Sequence, residues 1–261
     1  MADIDAEHAV GWILWGLALI SNVRYGFGSK SPWDHGHQND VAYTPFTAAR
    51  WAIWTFWLVL TILQFSFLSK YYQSTTKQLR YQFSINNVLL LTWSYLFSRG
   101  HYFFSELVII LSLWNLAIAY LIGQSYDAGS AAWTGAHIPI VSVPFAWSNF
   151  VLLWNGAVLF HARNWASRLI ANFLIWETLF VPLVFLVLFS DYATLAAFAW
   201  LSLALGFGQI ATKVFALQWI FAFVIAGVLF VFSLAFAVTS SDSGETALLS
   251  EGGNETVVSI A

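Results

Sequence analysis

Residues 215–238 read FALQWIFAFVIAGVLFVFSLAFAV, a stretch without a charged side chain. A helix needs about 20 consecutive apolar residues to cross the hydrocarbon core of a bilayer, which is about 30 Å thick. This stretch is long enough, and a polar segment rich in Ser, Gly and Glu follows it. We therefore predict that residues 215–238 cross a membrane as an α-helix.

The composition of the whole chain points the same way. Apolar residues make up 59 % of it and charged residues only 9 %, against about 25 % charge in an ordinary soluble domain. The net charge is −3 and the basic residues are scattered, which argues against a nucleic-acid partner. Cysteine is absent, so neither a disulfide nor a thiolate metal site is expected. The lipid bilayer is the expected surroundings of most side chains.

Long apolar stretches recur along the chain. They lie at 9–24, 49–69, 84–98, 101–122, 138–160, 166–189, 192–210 and 215–238. Only helices and closed barrels pair every backbone group in lipid, and these stretches lack the alternation of barrel strands. The first and third are short enough for partial helices, which leaves seven as the alternative to eight. We predict an all-α polytopic transmembrane bundle of 7–8 spans over 1–238, followed by a disordered polar tail over 239–261.

The distribution of Lys and Arg predicts the orientation, since cytoplasmic loops carry the excess of these residues. With eight spans, one side carries Arg24, Lys30, Arg50, Arg99, Arg163, Arg168 and Lys213, and the other carries Lys70, Lys77 and Arg80. The first side is predicted to be cytoplasmic, so both termini face the lumen or exterior. Asn254 begins an Asn-Glu-Thr glycosylation sequon on that same side. We expect an integral protein of the secretory pathway or plasma membrane.

Glu177 is the most informative single residue. It lies near the middle of the predicted span 166–189, where a charge costs on the order of 2–3 kcal/mol. Pro182 follows five residues later and removes the hydrogen bond to the Thr178 carbonyl. One hypothesis is a proton-carrying or substrate-binding carboxyl. The alternative is a protonated Glu that hydrogen-bonds a neighbouring helix and only helps packing.

Glu106 is the other acidic residue well inside a span. It lies about one turn from the start of the span 101–122, near His101 and Tyr102. A carboxylate is favoured near a helix N-terminus, which accounts for Glu106 without a functional role. Because the predicted depths of Glu106 and Glu177 differ, we do not expect the two carboxyls to converge.

The span 138–160 carries a polar face. Ser142 with Asn149, and Ser148 with Asn155, are seven residues apart and so share a side of the helix. These residues either line a cavity or join helices by hydrogen bonds worth about 0.6 kcal/mol each. At the head of this span, His137-Ile-Pro139 followed by Pro144 predicts a bent or partly unwound helix start, although proline is also common at straight helix starts.

Two stretches carry a family resemblance. Residues 42–54 (AYTPFTAARWAIW), running into 58–64 (LVLTILQ), resemble an entry motif of uncharacterised fungal multi-pass membrane proteins, some of them labelled virulence factors. Residues 138–147 (IPIVSVPFAW), with Trp154 beyond, resemble a second element of that family. The resemblance implies a fungal membrane protein tied to host interaction and supplies no catalytic residues. The first stretch is also faintly similar to the tryptophan-rich sensory or translocator proteins, a five-helix family that binds tetrapyrroles and sterols.

These features favour a non-enzymatic, transporter-like or small-molecule-binding bundle with a small hydrophobic ligand. Glu177, Asn149, Asn155 and Ser148 are the candidate ligand or proton residues. No catalytic residue, metal site or cofactor is predicted, since phosphate loops, His-Glu-x-x-His and Gly-x-Ser-x-Gly are all missing. One alternative is a structural or partner-binding membrane protein. Another is an integral-membrane enzyme acting on lipid, which requires two ionisable groups at one depth. The oligomeric state is left open.

Overall fold

A computed structural model describes residues 2–27, 44–123, 130, 133–162, 165–212 and 218–258. Helices make up nearly all of these residues, and no strand occurs among them. Six of the described helical segments are long and apolar enough to cross a membrane. The predicted all-α fold is confirmed, and the segments are compatible with an integral membrane protein.

Nine α-helices and two π-helical segments make up the described chain. The helices are α1 (Ala2–Phe27), α2 (Arg50–Ser66), α3 (Lys77–Ser98), α4 (Tyr102–Gly123), α5 (Val143–Leu159), α6 (Trp165–Leu174), α7 (Glu177–Phe189), α8 (Tyr192–Thr212) and α9 (Gln218–Val258). The π-helical segment π1 (Phe67–Tyr71) continues α2, and π2 (Trp133–Ser142) leads into α5. At the predicted bent or partly unwound start of the span 138–160, the structure has this π-helix, with Pro139 inside it.

The span formed by π2 and α5 lies at the centre of the bundle. In the apolar stretch of this span 89 % of the residues are buried inside the protein, against 28 % in that of the span Gln218–Thr239. Helices α4, α7 and α8 contact α5, and α2 contacts π2. Three of the largest fully buried side chains, Trp133, Trp147 and Trp154, belong to this central span. The Trp residues within predicted spans therefore include packing residues of the core.

The outer helices turn large apolar side chains outward. Trp114 is 70 % exposed and Val187 is 81 % exposed, and similar side chains cover the outer faces of α2, α4, α7 and α9. Soluble monomers rarely expose apolar surface on this scale. In a bilayer these faces contact acyl chains, so the exposed apolar surface is what a membrane-spanning bundle requires.

The six segments do not include α1 or α3, which contain the predicted spans 9–24 and 84–98. The predicted count of seven or eight is therefore not confirmed. Helix α3 is less apolar because it carries Arg80, Asn86 and Asn87, all three of them buried. These three side chains are buried inside the bundle, a distinction that a hydropathy average does not contain.

A stretch just before α2 is held tightly against α8. A Cβ atom on Gly208 would lie 2.3 Å from the Thr47 carbonyl oxygen, so only glycine fits there. The Ala49 amide donates a hydrogen bond of 2.8 Å to the Ala204 carbonyl, and Gln209 Nε2 donates to the carbonyls of Thr44 and Thr47. This contact fixes the residues between 44 and 49 next to the cavity described below.

Two predictions concern the C-terminal segment. Helix α9 extends to Val258, while its membrane-crossing part ends at Thr239. The side chains beyond Thr239, including Asn254, lie outside the described residues. The disordered tail over 239–261 and the glycosylation of Asn254 both stay predictions.

Candidate functional site

The span Trp165–Phe189 is broken within the bundle. Helix α6 ends at Leu174, Ile175 and Trp176 form a turn, and α7 begins at Glu177. Irregular backbone at membrane depth is tolerated only where it is buried in protein or lines a cavity. Both conditions are met here, because Ile175 is fully buried and Glu177 lines a cavity. Glu177 therefore lies in the first turn of a new helix rather than midway along a continuous one.

The cavity next to this break has a volume of about 520 Å³. We call it the Glu177 cavity. Its wall is formed by α4, α5, α6, α7 and the residues just before α2. Most of the wall is apolar, with Leu153 of α5, Phe160 just after α5, and Phe46 as examples. Among its lining residues only Glu106, Ser167 and Glu177 have polar side chains.

Glu106 reaches the cavity from α4 and is held in place by α5. Asn155 Nδ2 donates a short hydrogen bond to Glu106 Oε2, and a second of 3.1 Å to the Tyr102 carbonyl. Ser105 Oγ donates to Asn155 Oδ1 at 2.7 Å. Gly156 leaves room for the carboxylate, since a Cβ atom there would lie 3.2 Å from Glu106 Oε1. Asn155 thus lies behind Glu106 and orients it toward the cavity wall.

Glu177 differs from Glu106 in its partners. Its carboxylate is partly buried and makes no hydrogen bond or ion pair with any residue of the described ranges. A carboxylate in apolar surroundings without a partner is unfavourable. Of the residues lining the Glu177 cavity, Glu177 has the most to gain from a ligand.

The two carboxyls line one cavity, so the expectation that they would not converge is wrong. That expectation counted depth along a straight helix over 166–189. The turn at Ile175 and Trp176 breaks the helix, and a rise of about 1.5 Å per residue applies only to a continuous helix. The turn lies directly before Glu177, and no apolar pattern in the sequence indicates it.

Two further predicted ligand residues lie away from the Glu177 cavity. Asn149 Nδ2 donates to the Phe145 carbonyl within α5 at 2.9 Å. Ser148 Oγ lies 3.2 Å from Ser112 Oγ, which donates to Asn86 Oδ1 at 2.8 Å. The Ser148 contact joins two helices, which is the alternative weighed for this face, whereas the Asn149 hydrogen bond stays within α5. A ligand role for either one stays a prediction.

A second polar cluster lies where α7 ends and α8 begins, at the opposite end of α7 from Glu177. Asp191 is fully buried and caps α8. Its Oδ1 accepts a hydrogen bond of 3.0 Å from the Thr194 amide, and its Oδ2 accepts from Thr194 Oγ1 at 2.7 Å and from the Tyr120 hydroxyl at 2.8 Å. Asp is among the preferred residues at a helix N-cap. We call Tyr120, His137, Asp191 and Thr194 the Asp191 centre.

His137 completes the Asp191 centre from π2. Its Nε2 lies 3.5 Å from Asp191 Oδ2, and the side chain is 4 % exposed. The ring stacks on Trp133 with centroids 5.9 Å apart. Gly123 permits the close packing of α4, since a Cβ atom there would lie 2.7 Å from His137 Nδ1. Neither ring nitrogen has a hydrogen-bond partner within the described part of the chain.

The charge of Asp191 is set by competing effects. Burial raises the pKa of its carboxyl, whereas the imidazole of His137 and the hydroxyls of Ser142 and Thr194 lower it. The net result is a pKa below the ordinary value, so the carboxyl is ionised. No sequence pattern indicates this centre. An Asp just ahead of an apolar helix is an N-cap signal, but it does not reveal that His137 and Tyr120 lie beside it.

Comparison with known proteins identifies one relationship. Residues 168–256 match a fungal family of unknown function, described as Fungal protein of unknown function (DUF1774). The chain is also 34 % identical over 89 residues to Uncharacterized protein C637.03 of Schizosaccharomyces pombe (strain 972 / ATCC 24843). That alignment covers 34 % of this chain and 33 % of the relative, so it spans about a third of either protein. No solved structure matches the chain.

The predicted resemblance to uncharacterised fungal proteins is confirmed over residues 168–256. The stretches that first indicated it, 42–64 and 138–154, lie outside the matched region. The match instead covers α7, which begins at Glu177, then Asp191, α8 and most of α9. Both sites therefore have one acidic residue within the region shared with the fungal family.

Proposed function

We propose that this protein is a transporter-like, small-molecule-binding membrane protein, and that its ligand is a hydrophobic molecule with one cationic group. The Glu177 cavity carries this proposal, because two carboxyls line a space that is otherwise almost entirely apolar. Its volume of about 520 Å³ lies within the range of about 300–1,000 Å³ that is usual for small-molecule sites.

The charge of the ligand follows from the partners of the two carboxyls. Asn155 donates a hydrogen bond to the Glu106 carboxylate, whereas Glu177 has no partner among the described residues. A cation placed between them gains an electrostatic interaction in low dielectric and relieves the unfavourable burial of Glu177. The apolar wall, including Leu153 and Phe160, suits a hydrophobic body around that cation.

Eight spans are the topology that we propose for the bundle. Helices α1 and α3 have 26 and 22 residues, or about 39 and 33 Å at 1.5 Å per residue. A hydrogen bond of 2.7 Å between the hydroxyls of Ser21 and Ser94 joins them. Helix α1 turns Ile13, Leu17 and Ile20 outward, as a lipid-facing helix would. Apolar outer faces and polar inner contacts support counting both helices as spans.

Eight spans would place both termini on one side of the membrane. The distribution of Lys and Arg supports a non-cytoplasmic location for them, in the secretory pathway or plasma membrane. The Glu177 cavity then lies in the cytoplasmic half of the bundle, and the Asp191 centre lies in the opposite half. A role in virulence is an expectation from the family resemblance alone.

An enzyme acting on lipid is the second candidate. It requires two ionisable groups in one place, and Glu106 and Glu177 meet that requirement. One carboxyl could act as a general acid and the other as a general base. Turnover distinguishes this candidate from the first, because an enzyme converts its lipid whereas a binding protein returns its ligand unchanged.

Binding of tetraphenylphosphonium, a hydrophobic cation, tests the proposal. The full chain in phosphatidylcholine nanodiscs is compared with Glu177→Gln by equilibrium dialysis. We expect a loss of affinity of tenfold or more, which corresponds to about 1.4 kcal/mol. Glu7→Gln is the matched control, because Glu7 is paired with Lys77 at 3.1 Å outside the Glu177 cavity. Equal binding by all three proteins would overturn the proposal.

A further inference from the structure

The Glu177 cavity and the Asp191 centre are built from the same three spans. Helix α4 supplies Glu106 to the first and Tyr120 to the second. The central span supplies Asn155 and His137 in the same way. Helix α7 begins at Glu177 and ends two residues before Asp191. Each of these spans therefore runs from one site to the other, and α7 is short, with 13 residues.

The Asp191 centre has an uneven set of partners. Three hydrogen-bond donors surround the Asp191 carboxylate. By contrast, neither ring nitrogen of His137 makes a hydrogen bond with a described residue. With a neutral imidazole the buried centre carries a charge of −1. A proton on His137 Nε2 would neutralise it and form a charge-assisted contact across the present 3.5 Å.

The geometry favours a proton over a metal ion. The oxygens of Tyr120, Thr194 and Asp191 lie 2.5–2.8 Å apart, which is the separation of hydrogen-bonded oxygens. These oxygens are paired with one another by hydrogen bonds, rather than arranged around a shared central point as metal ligands would be. The described residues also contain no group of three or more His, Cys, Asp or Glu that could hold a metal ion.

Few other titratable groups face the Asp191 centre. Helix α4 contributes Tyr120 and α8 contributes Tyr192, and both hydroxyls interact electrostatically with Asp191. On the α7 side the neighbours of Tyr120 are the rings of Phe185 and Phe189. Segment π1 contributes Tyr71, which packs on Gly135 of π2. Tyrosine hydroxyls keep their protons at neutral and mildly acidic pH, so His137 is the basic group among these neighbours that faces the Asp191 carboxylate.

We propose that the Asp191 centre is a proton-binding site and that its protonation changes the ligand affinity of the Glu177 cavity. The proton comes from water and binds His137 Nε2, so one N–H bond forms and the charge of the centre changes from −1 to 0. The shift in contact between His137 and Asp191 is passed to Glu177 through α7. The coupling to ligand affinity rests on the proposed function, whereas proton binding does not.

Histidine NMR tests proton binding alone. The full chain, labelled with ¹⁵N-histidine in phosphatidylcholine nanodiscs, is titrated between about pH 4.5 and 8.5, and His137→Gln assigns the signal. We expect His137 to titrate in this range, and Asp191→Asn to lower its proton affinity at least tenfold. Asn caps helices as well as Asp, so this variant keeps the cap while losing the charge. Tyr120→Phe, which leaves the charge in place, should shift the titration less.

Two results would overturn the proton site. One is a His137 that stays neutral over the whole titration. The other is a titration that Asp191→Asn leaves unchanged while the remaining His signals show that the fold is intact. Either result leaves the binding of tetraphenylphosphonium, and thus the proposed function, untouched.

The coupling is tested by tetraphenylphosphonium affinity at about pH 5.5 and 7.5. Both proteins contain Glu106 and Glu177, so titration of these two carboxyls affects wild type and Asp191→Asn alike. We expect the ratio of the two affinities to differ by fivefold or more between the proteins. Equal ratios would overturn the coupling. Absence of binding at both pH values would count against the Glu177 cavity while leaving the NMR result in force.

Discussion

The Glu177 cavity and the Asp191 centre treat a carboxylate in opposite ways. Asp191 is fully buried and accepts three hydrogen bonds, so the surrounding fold is built on its charge. Glu177 is partly buried, borders an open space and has no partner among the described residues. A saturated carboxylate contributes to stability, whereas an unsatisfied one is available for a ligand. The predictions below test that difference.

The largest expected effect is on stability. Asp191→Ala removes the acceptor of the hydrogen bonds from the Tyr120 hydroxyl, the Thr194 amide and Thr194 Oγ1, and removing one member of a buried charged network costs about 3–5 kcal/mol. Glu177→Ala removes a carboxyl that has no partner in the described chain, so its cost should be below about 1 kcal/mol. Unfolding in mixed micelles with rising dodecyl sulfate measures both. Similar losses for the two variants would contradict the contrast.

The next effect comes from two glycines that leave room for these sites. Gly123→Ala would place a Cβ atom 2.7 Å from His137 Nδ1, inside a packed region, at a cost of about 1–3 kcal/mol in unfolding free energy. Gly156→Ala would place one 3.2 Å from Glu106 Oε1, next to open space. We expect little loss of stability there and weaker tetraphenylphosphonium binding. The same unfolding and dialysis measurements separate the two, and a reversed order would be inconsistent with the proposed sites.

Asn155→Ala tests the orientation of Glu106. The change removes a charge-assisted hydrogen bond, and we expect tetraphenylphosphonium affinity to fall about fivefold, or about 1 kcal/mol. In a double-mutant cycle with Glu106→Gln, the two losses should not add, because Asn155 acts through Glu106. Additive losses in the dialysis measurement would show that Asn155 contributes independently of Glu106.

The smallest effects are expected at Ser148 and Asn149. Ser148→Ala removes a contact between two helices and Asn149→Ala removes a hydrogen bond within α5, and we expect each change to cost about 0.6 kcal/mol. Unfolding should show these small losses, while tetraphenylphosphonium affinity should stay as in wild type. A tenfold loss of affinity in either variant would restore the ligand role that the polar face of α5 suggested.

The sequence located the helices well and the sites unevenly. The apolar stretch 215–238 corresponds to the span Gln218–Thr239, and the stretch 101–122 to Tyr102–Gly123. Glu177 was singled out because a carboxyl at membrane depth is costly wherever it points. Asp191 drew no attention because it lies at a helix start, where a carboxylate is ordinary. Its importance depends on Tyr120 and His137, which are 71 and 54 residues away along the chain.

The amino-acid sequence by itself determined that this protein is an all-α bundle with apolar helices long enough to cross a membrane. Hydropathy is a property of consecutive residues, so it can be summed along the chain without knowing which helices touch. The tertiary structure decided that Glu106 and Glu177 line one cavity and that His137 meets Asp191. These meetings depend on the packing of separate helices and on the π-helical segment Trp133–Ser142 that carries His137, and neither of these is a sum over neighbouring residues.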